Sequence, residues 1–257
     1  TALATTSNNI ANSTTPGYSR QEVNFTTLQP QGFGFGFIGK GTRVANIQRI
    51  ESEFLTEQLR AASTEAGRLD AISNLASRVD NLLADGDGSL APSLQNFFNS
   101  VQDLSIDPSS SSTRQVVLSS AESLVSRFSN IESQLAAIDS DIRVGISENI
   151  QDLNNIATGI ADLNQKIVEA QSVTSSGQRP NDLLDQRDQL VLELSEIISV
   201  KTLEQEDGSL SVFIGNGQSI VVGGNSQTLV AVPDPSDASV TRIAYQSFSG
   251  NADITNS

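Results

Sequence analysis

The chain has 257 residues and a net charge of −15, and it contains no cysteine, histidine, methionine or tryptophan. Disulfides and thiolate metal sites are therefore excluded, the commonest catalytic bases and nucleophiles are missing, and an acidic body would be repelled by nucleic-acid phosphates. Its 37% hydrophobic content suffices for packed cores, but aromatics at 5% favour narrow Leu, Ile, Val and Ala interfaces over a broad interior.

Leu3, Thr6 and Ile10 recur at threes and fours, which predicts the last turns of a helix with a narrow apolar stripe. Asn8, Asn9 and Asn12 end it. Pro16 pushes Thr15 out of the helical region, Pro16-Gly17 favours a turn with positive φ at Gly17, and Tyr18 follows as an amphipathic anchor. The segment through Ser19 and Arg20 reads as a hinge outside the helical domain. Beyond it, Gly32, Gly34, Gly36, Gly39 and Gly41 among phenylalanines predict loops with short extended segments, ending in a strand near Arg43 to Gln48. Residues 1–50 form an N-terminal arm whose Arg20, Lys40, Arg43 and Arg49 against Glu22 give +3, leaving −18 for the remainder.

From Glu51 the period becomes helical: Leu55, Leu59, Ala62, Ala66, Leu69, Ile72, Ala76, Val79 and Leu83 predict a helix stopped at Asp85-Gly86-Asp87-Gly88. A short helix follows, with Leu94, Phe97, Phe98, Val101 and Leu104 on one face, closed by Asp107-Pro108 and a serine run that supplies the next N-cap. The longest element begins near Thr113. Val117, Ala121, Leu124, Phe128, Ile131, Leu135, Ile138 and Ile142 alternate spacings of four and three, and the pattern resumes from Ile146 to Ala170 with no proline. Such a helix would be about 80 Å long from Val117 to Ala170 at ~1.5 Å per residue. Each exposed Leu or Ile would forfeit roughly 1.5–3 kcal/mol, so the stripe needs partner helices, from the 51–83 helix and from absent chain or a neighbouring subunit.

Pro180 and Asn181 begin a last helix with Leu183, Leu184, Leu190, Leu194 and Ile197 facing inward. The period then becomes two, predicting sequential antiparallel strands at 200–203, 210–214, 219–222, 228–232 and 240–245. The expected fold is mainly α with a separate β domain: an elongated rod of long coiled-coil-like helices over 51–199, followed from 200 to 257 by the start of an antiparallel β domain that is cut short.

Sites of chemistry are sparse. Gly34-Phe35-Gly36-Phe37-Ile38-Gly39 spells a dinucleotide fingerprint without a strand before it or a helix after it. Asp85-Gly86-Asp87-Gly88-Ser89 has glycine at the wrong place for a calcium loop. Asp182, Asp185 and Asp188 suit the positive end of a helix, with Arg187 paired to a neighbour. The chain is thus expected not to be an enzyme and to need no cofactor or metal. No run approaches the roughly 20 apolar residues of a membrane span.

The string Asn8-Asn9-Ile10-Ala11-Asn12, followed by Thr15-Pro16-Gly17-Tyr18, resembles the N-terminal signature of the flagellar axial proteins, and Tyr18-Ser19-Arg20 is similar to its hook-associated branch. Further matching segments are Gly39-Lys40-Gly41 to Phe54-Leu55, Asn96-Phe97-Phe98 with Asp107-Pro108 and Arg114, and Asn181 to Asp188, so the resemblance spans roughly residues 1–200. It implies a structural junction subunit that joins hook to filament as a ring, exported by the flagellum's own type III apparatus and located outside the cell. Implied partners are hook subunits, hook-associated proteins on the filament side and neighbouring copies. Polymer contacts would lie at the first helix and at Asn12 to Arg20. The family's pattern starts further upstream and continues for a long C-terminal half, so the chain is expected to be a fragment. Two alternatives are a secreted coiled-coil adhesin or scaffold, and a polysaccharide hydrolase using Asp182 with Asp185.

Overall fold

The computed structural model describes residues 1–33, 36–84, 90–173, 179–215, 217–238, 240–246 and 252–255. Most of the Gly34–Gly39 string, though not its first two residues, falls within this set; the Asp85-Gly86-Asp87-Gly88-Ser89 string lies outside it. In chain order the elements are α1 (Ala2–Ala11), β1 (Gln21–Thr27), β2 (Gln31–Phe33), β3 (Gly36–Ile38), β4 (Thr42–Arg49), α2 (Glu53–Ala84), α3 (Leu90–Ile106), α4 (Ser111–Val173) and α5 (Asn181–Ile197). Strands β5 (Val200–Glu204), β6 (Leu210–Ile214), β7 (Gln218–Val222), β8 (Asn225–Ser226), β9 (Leu229–Pro233), β10 (Thr241–Tyr245) and β11 (Ala252–Asp253) follow. The protein is mainly helical, with an antiparallel β region after the helices. Two compact units emerge that do not follow chain order: residues 1–68 with 148–257, and residues 69–147.

In the larger unit, the arm is more regular than its glycine content suggests. β1 and β4 pair antiparallel from Gln21↔Arg49 to Thr27↔Thr42, with a bulge at Asn24/Phe25, and β2 pairs with β3 nested inside them. Glycines hid this ladder from composition because pairing between strands some twenty residues apart leaves no local signature.

The core of this unit forms where Ile150, Leu153, Ala157, Ile160, Leu163 and Ile167 of α4 meet Leu184, Val191 and Leu194 of α5 and the sheet residues Val212, Ile214, Ile220 and Val221, all buried. The sheet β5-β6-β7-β8 is fully antiparallel, and β9-β10-β11 forms a second antiparallel sheet. Two α4 asparagines fasten these sheets. Asn154 donates to the Leu229 carbonyl and accepts the Leu229 N–H, both at 2.8 Å. Asn164, fully buried, does the same to Leu210 at 2.8 and 2.9 Å, and adds bonds to the Gly223 carbonyl and from Arg187. A side-chain amide carries the same donor and acceptor as a peptide unit, so it can complete a strand's hydrogen bonding from a helix.

α2 crosses the end of α5 at close range: the Thr64 hydroxyl donates to the Ser195 carbonyl at 2.7 Å, and a Cβ on Gly67 would collide with the Glu196 carbonyl oxygen.

In the smaller unit, Ser110 caps α4 as expected, its hydroxyl accepting the Thr113 N–H. α3 meets α4 through a hydroxyl pair, Ser100 to Ser120 at 2.7 Å. The four-three stripe of α4 is divided here. Val117, Ala121, Leu124, Ile131 and Ile138 are half-buried, whereas Phe128, Leu135 and Ile142 are exposed. Phe98 and Val101 of α3 also face outward, while Leu94, Phe97 and Leu104 are half-buried. Heptad spacing identified the surface that wants cover; it did not reveal how little of it these helices cover.

Gly67→Ala is expected to destabilise the larger unit by about 1–3 kcal/mol through overpacking. Gly145→Ala, where a Cβ meets nothing within 4 Å, should stabilise α4 by roughly 0.5–1 kcal/mol. Urea unfolding followed by circular dichroism checks both, and equal shifts for the two would contradict the close approach.

Candidate functional site

The predicted turn forms. Asn12 caps α1, its N–H donating to the Asn8 carbonyl at 3.0 Å, and its side-chain amide also reaches Asn8. The Thr15 hydroxyl donates to the Asn12 side-chain oxygen at 3.3 Å. Pro16 and Gly17 occupy the centre of a β-turn closed by the Tyr18 N–H on the Thr15 carbonyl, with Gly17 at φ +74°. That conformation suits glycine, and a Cβ there would also crowd the Gln189 side chain on α5, standing 2.8 Å from its Oε1 and 3.0 Å from its Cβ.

The segment is therefore docked on α5 rather than lying apart from the helical region. Asn9 makes the first link. Its amide donates to the Gln21 carbonyl and accepts the Gln21 N–H, both at 2.9 Å, and accepts the Tyr18 hydroxyl at 2.8 Å. α1 is thereby fixed against the first residue of β1. Asp185 of α5 makes the second link, accepting the Ser19 N–H at 3.0 Å and Arg49 Nη1 at 2.9 Å. Arg49, from the end of β4, also meets Asp188 at 2.7 Å and Glu51 at 2.5 Å. Gln21 donates to Asp182 at 3.1 Å, and the Ile50 N–H donates to the Arg20 carbonyl.

This cluster is largely dehydrated: the side chains of Arg49 and Asp185 keep 6% and 8% of their accessible surface. Burial disfavours the Arg49 charge, but Asp188, Asp185 and Glu51 outweigh it and hold the guanidinium above its ordinary value. Tyr18 is raised above its ordinary 10.0, first by burial and then by the charges of Asp182 and Asp185. Arg187 behaves differently. It is buried, donates to Asn164 Oδ1 and to the Gly208 carbonyl, and is lowered chiefly by desolvation.

A cleft of about 550 Å³ opens beside the turn, lined by Asn8, Asn12, Thr15, Pro16, Gly17 and Tyr18 facing Asp182, Gln186 and Gln189, with Leu163 and Leu190 among its walls. Of the sequence-predicted residues, Asn9 and Ser19 are engaged in the clamp, while Ile10 and Arg20 are exposed. Sequence reading missed Gln21, Arg49 and Gln189, and gave Asp185 and Asp188 a helix-end role when they serve as acceptors for the arm. An isolated arginine closing a strand and acids at spacing three on a distant helix were the available signal, visible once the two are brought together.

α1 has its faces reversed relative to a core helix. Thr5, Asn9 and Asn12 turn toward the protein, whereas Leu3 and Ile10, one heptad apart, are 84% and 70% exposed.

Asp185→Ala should destabilise the larger unit by about 3–5 kcal/mol, because it strands a buried guanidinium and the Ser19 N–H, while Glu51→Ala at the rim should cost about 1 kcal/mol or less. Denaturant unfolding of the two variants measures the contrast. Tyr18 gives a pH test. Its folded pKa is raised, so its contribution is complete below about pH 10 and is lost as pH climbs through the raised value. Tyrosinate absorbance of a Tyr245→Phe variant isolates Tyr18, and a midpoint at or below 10 would contradict the half-buried bond to Asn9 and the neighbouring charges of Asp182 and Asp185.

A model of the flagellar hook-associated protein FlgK helical domain matches residues 76–257. Flagellar hook-associated protein 1 of Salmonella typhimurium is 38% identical over 254 residues, covering 98% of this chain and 46% of that protein. The Bacillus subtilis protein of the same name is 30% identical over 253 residues, covering 95% of this chain and 49% of its own. Among solved structures, the flagellar hook junction protein FlgK from Burkholderia pseudomallei matches with TM-score 0.67 and 31% identity, over 74% of this chain and 33% of that one. The chain thus spans about half the length of the curated relatives it matches. On this sequence and structural likeness, the chain belongs to the flagellar hook-associated protein FlgK family.

Proposed function

We propose that the chain is part of a structural subunit of the bacterial flagellum, outside the cell, joining hook to filament through ring-like assembly of neighbouring copies. The relatives' names supply the setting, and one observation carries the mechanism: α1 is held rigidly by its polar face while Leu3 and Ile10 point away from the protein. A helix built this way stays uncovered until a partner covers it, which couples its burial to assembly. Partners on this reading are hook subunits, hook-associated proteins of the filament side and sister copies, with delivery by the type III flagellar export apparatus. Residues 1–50 act as the contact arm, 51–199 as the helical shaft and 200–257 as the start of an outward β domain. Asn8, Asn9, Ile10, Asn12 and Thr15 to Arg20 are the contact residues, Asn9 and Ser19 by fixing the geometry.

The hydrolase alternative needs Asp182 and Asp185 free for proton transfer. Asp185 is instead committed to Ser19 and Arg49, and Asp182 accepts from Gln21. Among the described residues of the β region, nothing singles out an adhesin ligand.

A deletion strain should keep hooks, lose filaments and shed filament subunits into the medium. Replacing Pro16-Gly17 with Ala-Ala forces an L-residue into left-handed geometry, at roughly 1–2 kcal/mol, against Gln189. That variant should remain folded by circular dichroism yet fail to restore swimming; full swimming with attached filaments would reject the contact role of the turn.

A further inference from the structure

Two surfaces of this chain carry apolar groups that nothing among the described residues covers, and their charges are opposite. The first is the outer part of the arm. Phe25, Leu28, Phe37 and Ile38 are exposed, Phe37 most of all at 81%, its ring resting on Gly32 of the paired strand. Beside them Arg20, Lys40 and Arg43 are exposed and have no ion-pair partner among the described residues. Arg49, the remaining cation of the arm, is already consumed by Asp185, Asp188 and Glu51.

The second surface is one side of α4 in the smaller unit. Leu118, Glu122, Val125 and Glu132 lie within about 80° of one another on the helix, bordered by Phe128 and Leu135, and all six are exposed. Glu122 and Glu132 have no ion-pair partner among the described residues. A stripe with this charge repels its own copy, so symmetric pairing of two stripes is disfavoured. The basic, apolar arm matches it in both respects.

We infer that the β1–β4 arm of one copy docks on the Leu118–Leu135 side of α4 of the next copy, with Phe37 and Ile38 against Val125 and Phe128, and Lys40 and Arg43 facing Glu122 and Glu132. Because the two surfaces differ, the contact is head-to-tail, the type that generates rings or open helical arrays rather than closed dimers. This deepens the junction reading by naming the surfaces through which sister copies meet, and it rests on that reading only in taking a sister copy as the partner.

The absence of cysteine allows a clean test. Purified Phe37→Cys and Val125→Cys proteins, mixed under mild oxidation, should form a disulfide-linked heterodimer, at least about fivefold more than either protein alone. Adding Lys40→Glu and Arg43→Glu to the Phe37→Cys protein should cut the yield by about tenfold, and Glu122→Lys with Glu132→Lys on the other partner should restore it; high salt should weaken the wild-type pairing. No heterodimer, a yield indifferent to charge reversal, or preferential Val125→Cys self-linkage would overturn the inference, the last in favour of helix-to-helix pairing. The junction reading is judged separately by complementation of the deletion strain. If Lys40→Glu with Arg43→Glu restores filaments while the cross-link is absent, the junction role stands and this contact falls.

Discussion

The acceptance of two donors by the buried Asp185 carboxylate, the Ser19 N–H and the Arg49 guanidinium, brings both ends of the arm onto α5. Ser19 lies two residues before β1 and Arg49 closes β4, so one side chain fixes where the ladder starts and where it ends. In a dehydrated cluster such bonds are strong when complete and costly when one partner is missing, which makes the dock a single arrangement rather than a range of them. α1 inherits that placement through Asn9, whose amide is bonded to both backbone groups of Gln21.

Asn9, Asn154 and Asn164 share this device. Each sits on a helix and pairs with the N–H and the carbonyl of one strand residue, Gln21, Leu229 and Leu210 respectively. Helix-to-sheet attachment in this chain therefore relies on directional polar contacts as well as on the Leu, Ile and Val core. The poverty in aromatic residues fits that solution, since few large rings are available to lock elements by shape. Gly67 and Gly17 contribute differently, by removing the side chain where α2 and the turn approach α5.

Local chemistry made much of the fold legible. Pro16-Gly17 specified its turn, Ser110 its cap, and the alternation after Val200 its strands, because each rests on the preferences of adjacent residues. Short β8 and β11 were missed, since two-residue strands carry no period. The clamp was illegible for another reason: Asp185 and Ser19 are 166 residues apart, and acids at a helix start have an adequate local explanation. Heptad spacing in α4 predicts partner helices along its whole length, but which half is covered, and by what, depends on neighbours that the spacing does not name. The sheets bury Ile150 to Ile167, whereas Phe128 and Leu135 remain open.

The arm is a fixed part of the larger unit, and its attachment to α5 holds α1 in one orientation. Native-state hydrogen exchange at the Ser19 amide tests this most directly, because that N–H has no partner except Asp185 among the described residues. Ser19 should exchange with an opening free energy close to that of the α5 amides, so that the arm and helix open together. Exchange at the rate of an unstructured peptide while α5 stays protected would contradict it, leaving the arm a loose tether.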